Sequence, residues 1–343
     1  MIVAELFEPR RFRLFESERV PPGPGEIQVR VRHVGICGSD LHYYAEGSIG
    51  DVVIRYPVVL GHEPTGEITG GGTGVTGITT GARVLLEPAL FCYHCEQCHS
   101  GRHNLCDNIR FLSSPPEPGF FREYVNLPAH NVLPMPDSLD SETATLFEPL
   151  AVVLHSLQFA HIQLGETLAV FGAGPIGLLT LAALRMTGAG RIWVIEPRAE
   201  RRELAMQLGA SAVIDPAGTD AVRDILRETG KRGVDCAIDC ATKAGTIQAA
   251  CAVTRSAGRT IVTGIPSEPQ TEVNFHVLRR KELTIYNIRR SNHETPAAIA
   301  MLEANPKLFR TLITHRMDLA QANAAFDMLE TGSGGAAKIV ISI

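Results

Sequence analysis

Several things are missing from this 343-residue chain, and each absence removes a class of function. There is no excess of positive charge: 32 Lys and Arg stand against 37 Asp and Glu, giving a formal net charge of -5. A basic footprint for nucleic acid is therefore absent. No segment approaches the ~20 consecutive apolar residues that a bilayer span requires, so no membrane partner is expected. The opening Met1-Ile2-Val3-Ala4-Glu5-Leu6-Phe7-Glu8 carries acids and lacks a basic region followed by an apolar stretch, which argues against a secretory leader. Internal repeats and low-complexity tails are missing too. The 8 cysteines do not mark a small disulfide scaffold, because a chain of this length buries a core without staples. Four of them lie at metal-ligand spacing, and a reducing, cytoplasmic setting is expected.

What is present points to a two-domain enzyme with 45% hydrophobic and 20% charged residues. Glu26-Ile27-Gln28-Val29-Arg30-Val31-Arg32 alternates apolar and polar residues after a Pro- and Gly-rich turn, the period of a half-buried strand. Further short strands at 65–69 and 83–86 predict a β-rich, barrel-like first domain. A helical region covers 138–161, with Pro149 expected to break or kink it directly after Glu148. Strand-like segments at 167–171, 191–195, 212–214, 234–239, 258–263 and 283–288 then alternate with helices, predicting a parallel sheet covered by helices. Helices at 295–304 and 319–330 and a strand at 337–343 close the chain.

Val170-Phe171-Gly172-Ala173-Gly174-Pro175-Ile176-Gly177 is G-x-G-x-x-G between an apolar strand and an apolar helix. That context turns a weak motif into a dinucleotide site. Gly172 makes the tight turn, Gly174 admits the pyrophosphate, and Gly177 lets helix and strand pack closely. Pro175 and Ile176 open the helix whose N-terminus favours an anion. Glu196, at the end of the next strand, is placed to accept hydrogen bonds from ribose hydroxyls, which selects NAD. Arg198, Arg201 and Arg202 follow it, and arginines there could welcome the 2′-phosphate of NADP or face solvent; Arg201 is the one assigned to the cofactor.

Cys92, Cys95, Cys98 and Cys106 form C-x2-C-x2-C-x7-C. Four thiolates at such spacing close a tetrahedral shell, which predicts a structural zinc in a lobe spanning about 88–107. His94, His99 and His103 in the same loop are expected to be solvated, and Cys236, Cys240 and Cys251 to be core thiols. The stretch Cys37-Gly38-Ser39-Asp40-Leu41-His42 places a thiol, a hydroxyl and an imidazole within six positions, and Gly61-His62-Glu63 adds an imidazole and a carboxylate. These groups are scattered, so spacing alone does not bring them together.

The segments 35–44, 57–63 and 147–151, the cysteine lobe and the glycine motif together resemble the zinc-containing medium-chain dehydrogenase/reductase family, in its sorbitol, xylitol and L-idonate dehydrogenase branch. The resemblance implies an α/β chain with a GroES-like catalytic domain at 1–149 and 289–343 and a Rossmann doubly wound parallel sheet at 150–288. It implies a catalytic zinc on Cys37, His62 and Glu63, with Glu148 ligating directly or through water, besides the structural zinc. Ser39 would receive the substrate proton and pass it by the nicotinamide ribose to His42 and solvent. Tyr43, Phe111, Ser114 and Arg290 match positions that line the polyol pocket. The chain departs from its relatives at Arg289-Arg290-Ser291, where aromatic residues usually flank the arginine. A guanidinium fork suits a carboxylate, so a sugar acid such as L-idonate is expected among the substrates. The resemblance also implies a homo-oligomer, tetramer or dimer. The other members considered are dehydrogenases of threonine or simple secondary alcohols, and a non-catalytic NAD-binding protein.

Overall fold

Alternation of apolar and polar residues, then of strands and helices, yields two units of different construction. In the computed structural model, which describes residues 1–266, 268 and 270–343, the first unit comprises Met1–Glu148 and Ala298–Ile343 and the second Pro149–Ala297. The chain returns to the first unit at Ala298, whereas the sequence places that return at 289. Side-chain anchoring accounts for the difference. Glu294 Oε1 lies 2.9 Å from His155 Nδ1, and Glu294 Oε2 accepts the backbone N–H groups of Asn292 and His293, so this segment stays with the second unit.

The first unit is built on a mostly antiparallel sheet in which the strand Glu26–Gly35 is central. It pairs with Glu63–Gly71, with Tyr124–Pro128 and with the C-terminal strand Ile339–Ser342. Arg83–Leu86 and Val132–Pro134 extend one side, and His315–Asp318 joins the other in parallel with Ile339–Ser342. The inward residues Val29, Val31, Val34, Leu86, Phe121, Val125 and Ile341 are buried. This unit is β-rich, as expected, and its sheet runs in the open order just given.

Two features of the candidate site depend on that sheet. Glu26–Gly35 runs directly into Ile36 and Cys37, and Glu63 opens the neighbouring strand, so adjacent strands deliver both candidate ligand segments from one rigid frame. The helix Gly38–Glu46 follows and is clamped by aromatic packing. Tyr44 and Phe12 each lie near the Phe326 ring, at centroid distances of 4.9 Å. Tyr44 Oη donates to Asp327 Oδ1 at 2.8 Å. Ring pairs of this kind contribute ~0.5–1.5 kcal/mol beyond area burial. They fix the helix that bears Ser39 and His42.

The second unit is a six-stranded parallel sheet. Its strand order is 212–214, 192–195, 168–171, 234–239, 254–262, 284–287. With strands counted from Leu168–Phe171, this is the 3-2-1-4-5-6 order of a Rossmann sheet, whose ligand crevice lies at the switch beside the first strand. The strands are nearly continuous apolar runs because both faces are covered.

One expectation is corrected. Pro149 neither breaks nor kinks the chain after Glu148: a short helix at Ser141–Ala144 precedes a continuous helix at Phe147–Ala160. Pro149 falls in the first turn, where its missing N–H has no intrahelical partner to lose. Among the described residues no helix is long and apolar enough to cross a membrane.

Candidate active site and metal centres

Two groups of three or more candidate ligands occur among the described residues: Cys92, Cys95, Cys98 and Cys106, and Cys37, His62 and Glu63. Within each group the ligand atoms lie within 4.8 Å of one another.

In the lobe, local turns bring the sulfurs together. Cys95 caps the short helix Glu96–His99, its Sγ accepting the Cys98 N–H at 3.5 Å. Cys92 N–H donates to Cys106 Sγ at 3.4 Å. The Sγ···Sγ distances are 3.5 Å for Cys92–Cys106 and 3.9 Å for Cys92–Cys98. Four sulfurs ~2.3 Å from a tetrahedral zinc lie ~3.8 Å apart, whereas a disulfide requires ~2.05 Å. All four are free thiols, and the donor set fits zinc. His103 packs against Phe91 and Tyr93, and His94 Nδ1 lies 2.7 Å from the Cys92 carbonyl oxygen, so neither joins the sulfur group. Cys236 and Cys251 are buried core thiols, and burial pushes Cys236 and Cys240 up to about 12.

The second group is built differently. Cys37 is the residue before the helix Gly38–Glu46, and its backbone N–H donates to Asp40 Oδ2 at 3.1 Å. Asp40 is fully buried, and Oδ1 accepts from Ser113 Oγ at 2.8 Å and from Gly61 N–H at 3.2 Å. The same Oδ1 lies 3.3 Å from His62 Nδ1. Burial would raise the Asp40 carboxyl, but His62 and these hydrogen bonds outweigh it and hold the group below its usual range. Burial would likewise lower His62, and the neighbouring Asp40 and Cys37 instead hold it well above its ordinary value. The imidazole thus sits where a cation is favoured. A carboxylate on the far nitrogen is the partner that orients a metal-binding histidine. Asp40 lies inside the stretch Cys37–His42, and its spacing from Cys37, that of a helix-capping acid, is the signal in the sequence that marks it.

Glu63 is fully buried, and its Oε1 has no hydrogen-bond partner. An orphaned carboxylate oxygen beside a thiol and an imidazole is costly unless something cationic takes it, and the donor set fits an open zinc site. Its Oε2 is taken by Lys338 Nζ. Glu148 is buried nearby; burial pushes its carboxyl up to about 8, with His62 opposing and Glu63 adding to the rise. Ser39 Oγ lies 3.4 Å from His62 Nε2, and Phe111 packs its ring 5.3 Å from that of His62. Tyr43 Oη and Ser114 Oγ are 3.2 Å apart. His42 reaches outward, with Nδ1 3.1 Å from the carboxylate of the half-exposed Glu46.

In the second unit Gly172 has φ 92°, and Gly174 caps the helix Pro175–Met186 with Pro175 at its first position and Ile176 next. A Cβ at Gly177 would run into the Gly172 carbonyl, so that helix approaches the turn as closely as glycine alone allows. Glu196 Oε2 accepts the Ala173 N–H at 2.7 Å, and Oε1 accepts the Arg198 N–H at 2.9 Å. A carboxylate has about four acceptor sites, so both oxygens retain capacity for ribose hydroxyls. Arg201 comes within 3.8 Å of the Cβ position above Gly174. Arg202 is directed elsewhere, to the carbonyls of Glu196 and Pro197 and to Asp215. Arg290 belongs to this unit, in left-handed backbone geometry at φ 57°.

Residues 23–137 match the alcohol dehydrogenase GroES-like domain, and residues 175–304 match the zinc-binding dehydrogenase domain. The chain is 38% identical over 302 residues to a sorbitol dehydrogenase of Bacillus subtilis, covering 88% of this chain and 86% of that one. It belongs to the zinc-containing medium-chain dehydrogenases. It is also 33% identical to a probable D-xylulose reductase A of Aspergillus clavatus, covering 93% of this chain and 91% of the relative. The solved structure of L-idonate 5-dehydrogenase from Escherichia coli superposes with a TM-score of 0.91 at 25% identity, over 100% of this chain and 98% of that one. The expected GroES-like and Rossmann architecture is thereby confirmed.

Proposed function

We propose that the protein oxidises a secondary hydroxyl of a polyol or related sugar acid with NAD as hydride acceptor. The observation that carries this reading is the convergence of Cys37, His62 and Glu63 within 4.8 Å, with one buried carboxylate oxygen unpartnered. Cys37, His62 and Glu63 would hold a catalytic zinc, with Glu148 as a neighbouring carboxylate, and the four lobe cysteines a second, structural zinc. When bound, the catalytic zinc supplies Lewis acidity that lowers the pKa of a carbinol hydroxyl.

The protein's own groups do the rest. The Asp40 carboxylate, 3.3 Å from His62 Nδ1, would orient the ring. Ser39, hydrogen-bonded in the same cluster, would take the proton leaving the substrate hydroxyl. His42 would return it to solvent, and the half-exposed Glu46 beside it provides the exit. Tyr43 and Ser114 present paired hydroxyls that suit a polyhydroxylated chain, and Phe111 supplies an apolar wall. Gly172, Gly174, Pro175, Ile176 and Gly177 would cradle the pyrophosphate. Glu196 would take the ribose hydroxyls, and Arg201 would lie over the phosphates.

The names of the relatives support the polyol class. The adjacent Arg289 and Arg290 favour a second substrate type, an aldonate whose carboxylate pairs with a guanidinium. A cytoplasmic homo-oligomer belongs to the same proposal. The test is metal analysis of the purified chain together with a coenzyme-reduction screen of sorbitol, xylitol, galactitol, L-idonate and threonine against NAD and NADP. Two zincs and turnover of a polyol or aldonate with NAD are expected; one zinc, or turnover of threonine alone, would overturn the reading. If Arg290→Ala leaves the ratio of polyol to aldonate turnover unchanged, the aldonate assignment fails.

A further inference from the structure

The returning C-terminal segment brings a charged side chain, Lys338, to the Cys37–His62–Glu63 cluster. It precedes the strand Ile339–Ser342, which pairs antiparallel with Glu26–Gly35 and sets Val340 opposite Gly35. That register turns the lysine under the two ligand segments. Nζ donates to Glu63 Oε2 and, at 3.0 Å, to the carbonyl of Ile36, the residue before Cys37. Side chains of Lys338 and Glu63 are each 1% exposed. A buried ion pair is a poor source of stability compared with apolar packing, so its presence beside a ligand cluster points to a role at that cluster. Gly35 supports it: a Cβ there would collide with Glu63 Oε2 and stand 3.1 Å from Lys338 Nζ, so only glycine leaves the pair its space.

We propose that Lys338 is a positioning residue that holds Glu63 as a one-oxygen donor to the catalytic metal. The inference rests on the reading of this cluster as a zinc site. One carboxylate oxygen is pinned and half-neutralised by the ammonium, while the other, Oε1, is left without a partner and faces a need for a cation. Because Nζ also grips the Ile36 carbonyl, the same charge ties the strand that delivers Cys37 to the strand that delivers Glu63. A lysine in this place competes with the metal for the carboxylate. It keeps the metal from being closed in by both oxygens, preserving the exchangeable position an open site needs.

The sign of the effect separates this role from simple structural support. Lys338→Met should slow loss of the catalytic zinc to a competing chelator by roughly tenfold, opposite in sign to the 10–100-fold loss of affinity that follows removal of a partner that merely supports a metal ligand. It should lower kcat while leaving NADH affinity unchanged, and shift the d–d absorption of the cobalt-loaded enzyme. In a Glu63→Gln background the same substitution should no longer change the rate of zinc loss. If Lys338→Met is not folded, Lys338→Gln, which removes the charge but keeps a donor, carries the same measurement. Faster zinc loss, or an unchanged rate and cobalt spectrum, would overturn the proposal. The wild-type chain is the control for the underlying reading: zinc in the lobe alone would sink both, whereas two zincs with an unaltered release rate in the variant would sink the role of Lys338 by itself.

Discussion

The two cysteine-bearing clusters of the first unit make opposite use of the same ligand chemistry. In the lobe four thiols span 15 residues, and their order is imposed by local turns, a four-residue helix and backbone N–H donors. Nothing there is left open. Around Cys37 the donors are one thiol, one imidazole and one carboxylate, delivered by adjacent strands and flanked by Asp40, three residues after Cys37, and by Lys338 from the C-terminal segment. Here one oxygen is left over. Four identical anionic donors saturate a tetrahedral ion, while a mixed and incompletely committed set leaves room for a substrate. The contrast predicts that damage to the lobe acts on folding and damage to the second cluster acts on chemistry.

Cys37→Ser is the most severe way to test that contrast. It should cut turnover by at least about 100-fold, the upper end of what losing even an outer partner costs. Affinity for NADH, measured by fluorescence titration, should stay within about twofold, because the glycine turn and Glu196 belong to a separately built sheet. Loss of NADH binding in parallel with turnover would erase the distinction. The paired substitution Cys98→Ser with Cys106→Ser should be next. Zinc content should fall from two to one, and the melting temperature should fall by roughly 4–8 °C if only ~2 kcal/mol of metal-linked stability is lost from a domain of 150–250 residues. Turnover per folded molecule should hold. An unchanged melting curve would remove the structural role of the lobe.

Asp40→Asn probes the frame of the open cluster. The amide keeps the shape but no longer favours the His62 orientation that presents Nε2 to a metal. The expectation is a loss of about 10-fold or more in metal affinity or kcat, from the range for partners of ligating histidines. A variant that binds zinc and turns over like wild type would mean that Cys37, His62 and Glu63 are organised by their strands alone.

How much of this was legible in the residues follows the same divide. The lobe could be read from spacing, because its ligands are sequence neighbours. The six strands of the Rossmann sheet could be read from apolar runs punctuated by helices: five fall within the predicted bounds, two of them, Ala212–Ile214 and Val234–Asp239, with the same ends, and only Thr254–Val262 begins earlier than expected. Pro149 was misread because a proline's effect depends on whether it lies in the first turn or deeper, and that register is set by where Phe147 starts the helix. Cys37 and His62 were connected by family resemblance, since local periodicity says nothing about which strands will be neighbours. Lys338 was invisible: it lies 275 residues from Glu63, in a segment that reads as an ordinary edge of a C-terminal strand. Only the antiparallel pairing of Val340 with Gly35 makes it part of the site.

The smallest expected effect concerns the Tyr43–Ser114 hydroxyl pair, proposed above to meet the substrate. Tyr43 Oη and Ser114 Oγ lie 3.2 Å apart, on the helix after Cys37 and on the loop after Phe111. Ser114→Ala removes one hydroxyl and leaves Tyr43 without that partner. A neutral hydrogen bond of this kind contributes about 1 kcal/mol, which corresponds to roughly a fivefold change in kcat/KM. If the paired hydroxyls meet the substrate, the loss should fall on longer polyols and spare a simple secondary alcohol that has no further hydroxyl to offer. If they serve only to pack the helix, both substrates should suffer alike or not at all. Measuring the ratio for sorbitol and 2-propanol in the same preparation separates the two, because the amount of folded enzyme cancels. A preserved ratio would leave the cluster open but unselective, and specificity would then have to come from residues outside the Tyr43–Ser114 pair.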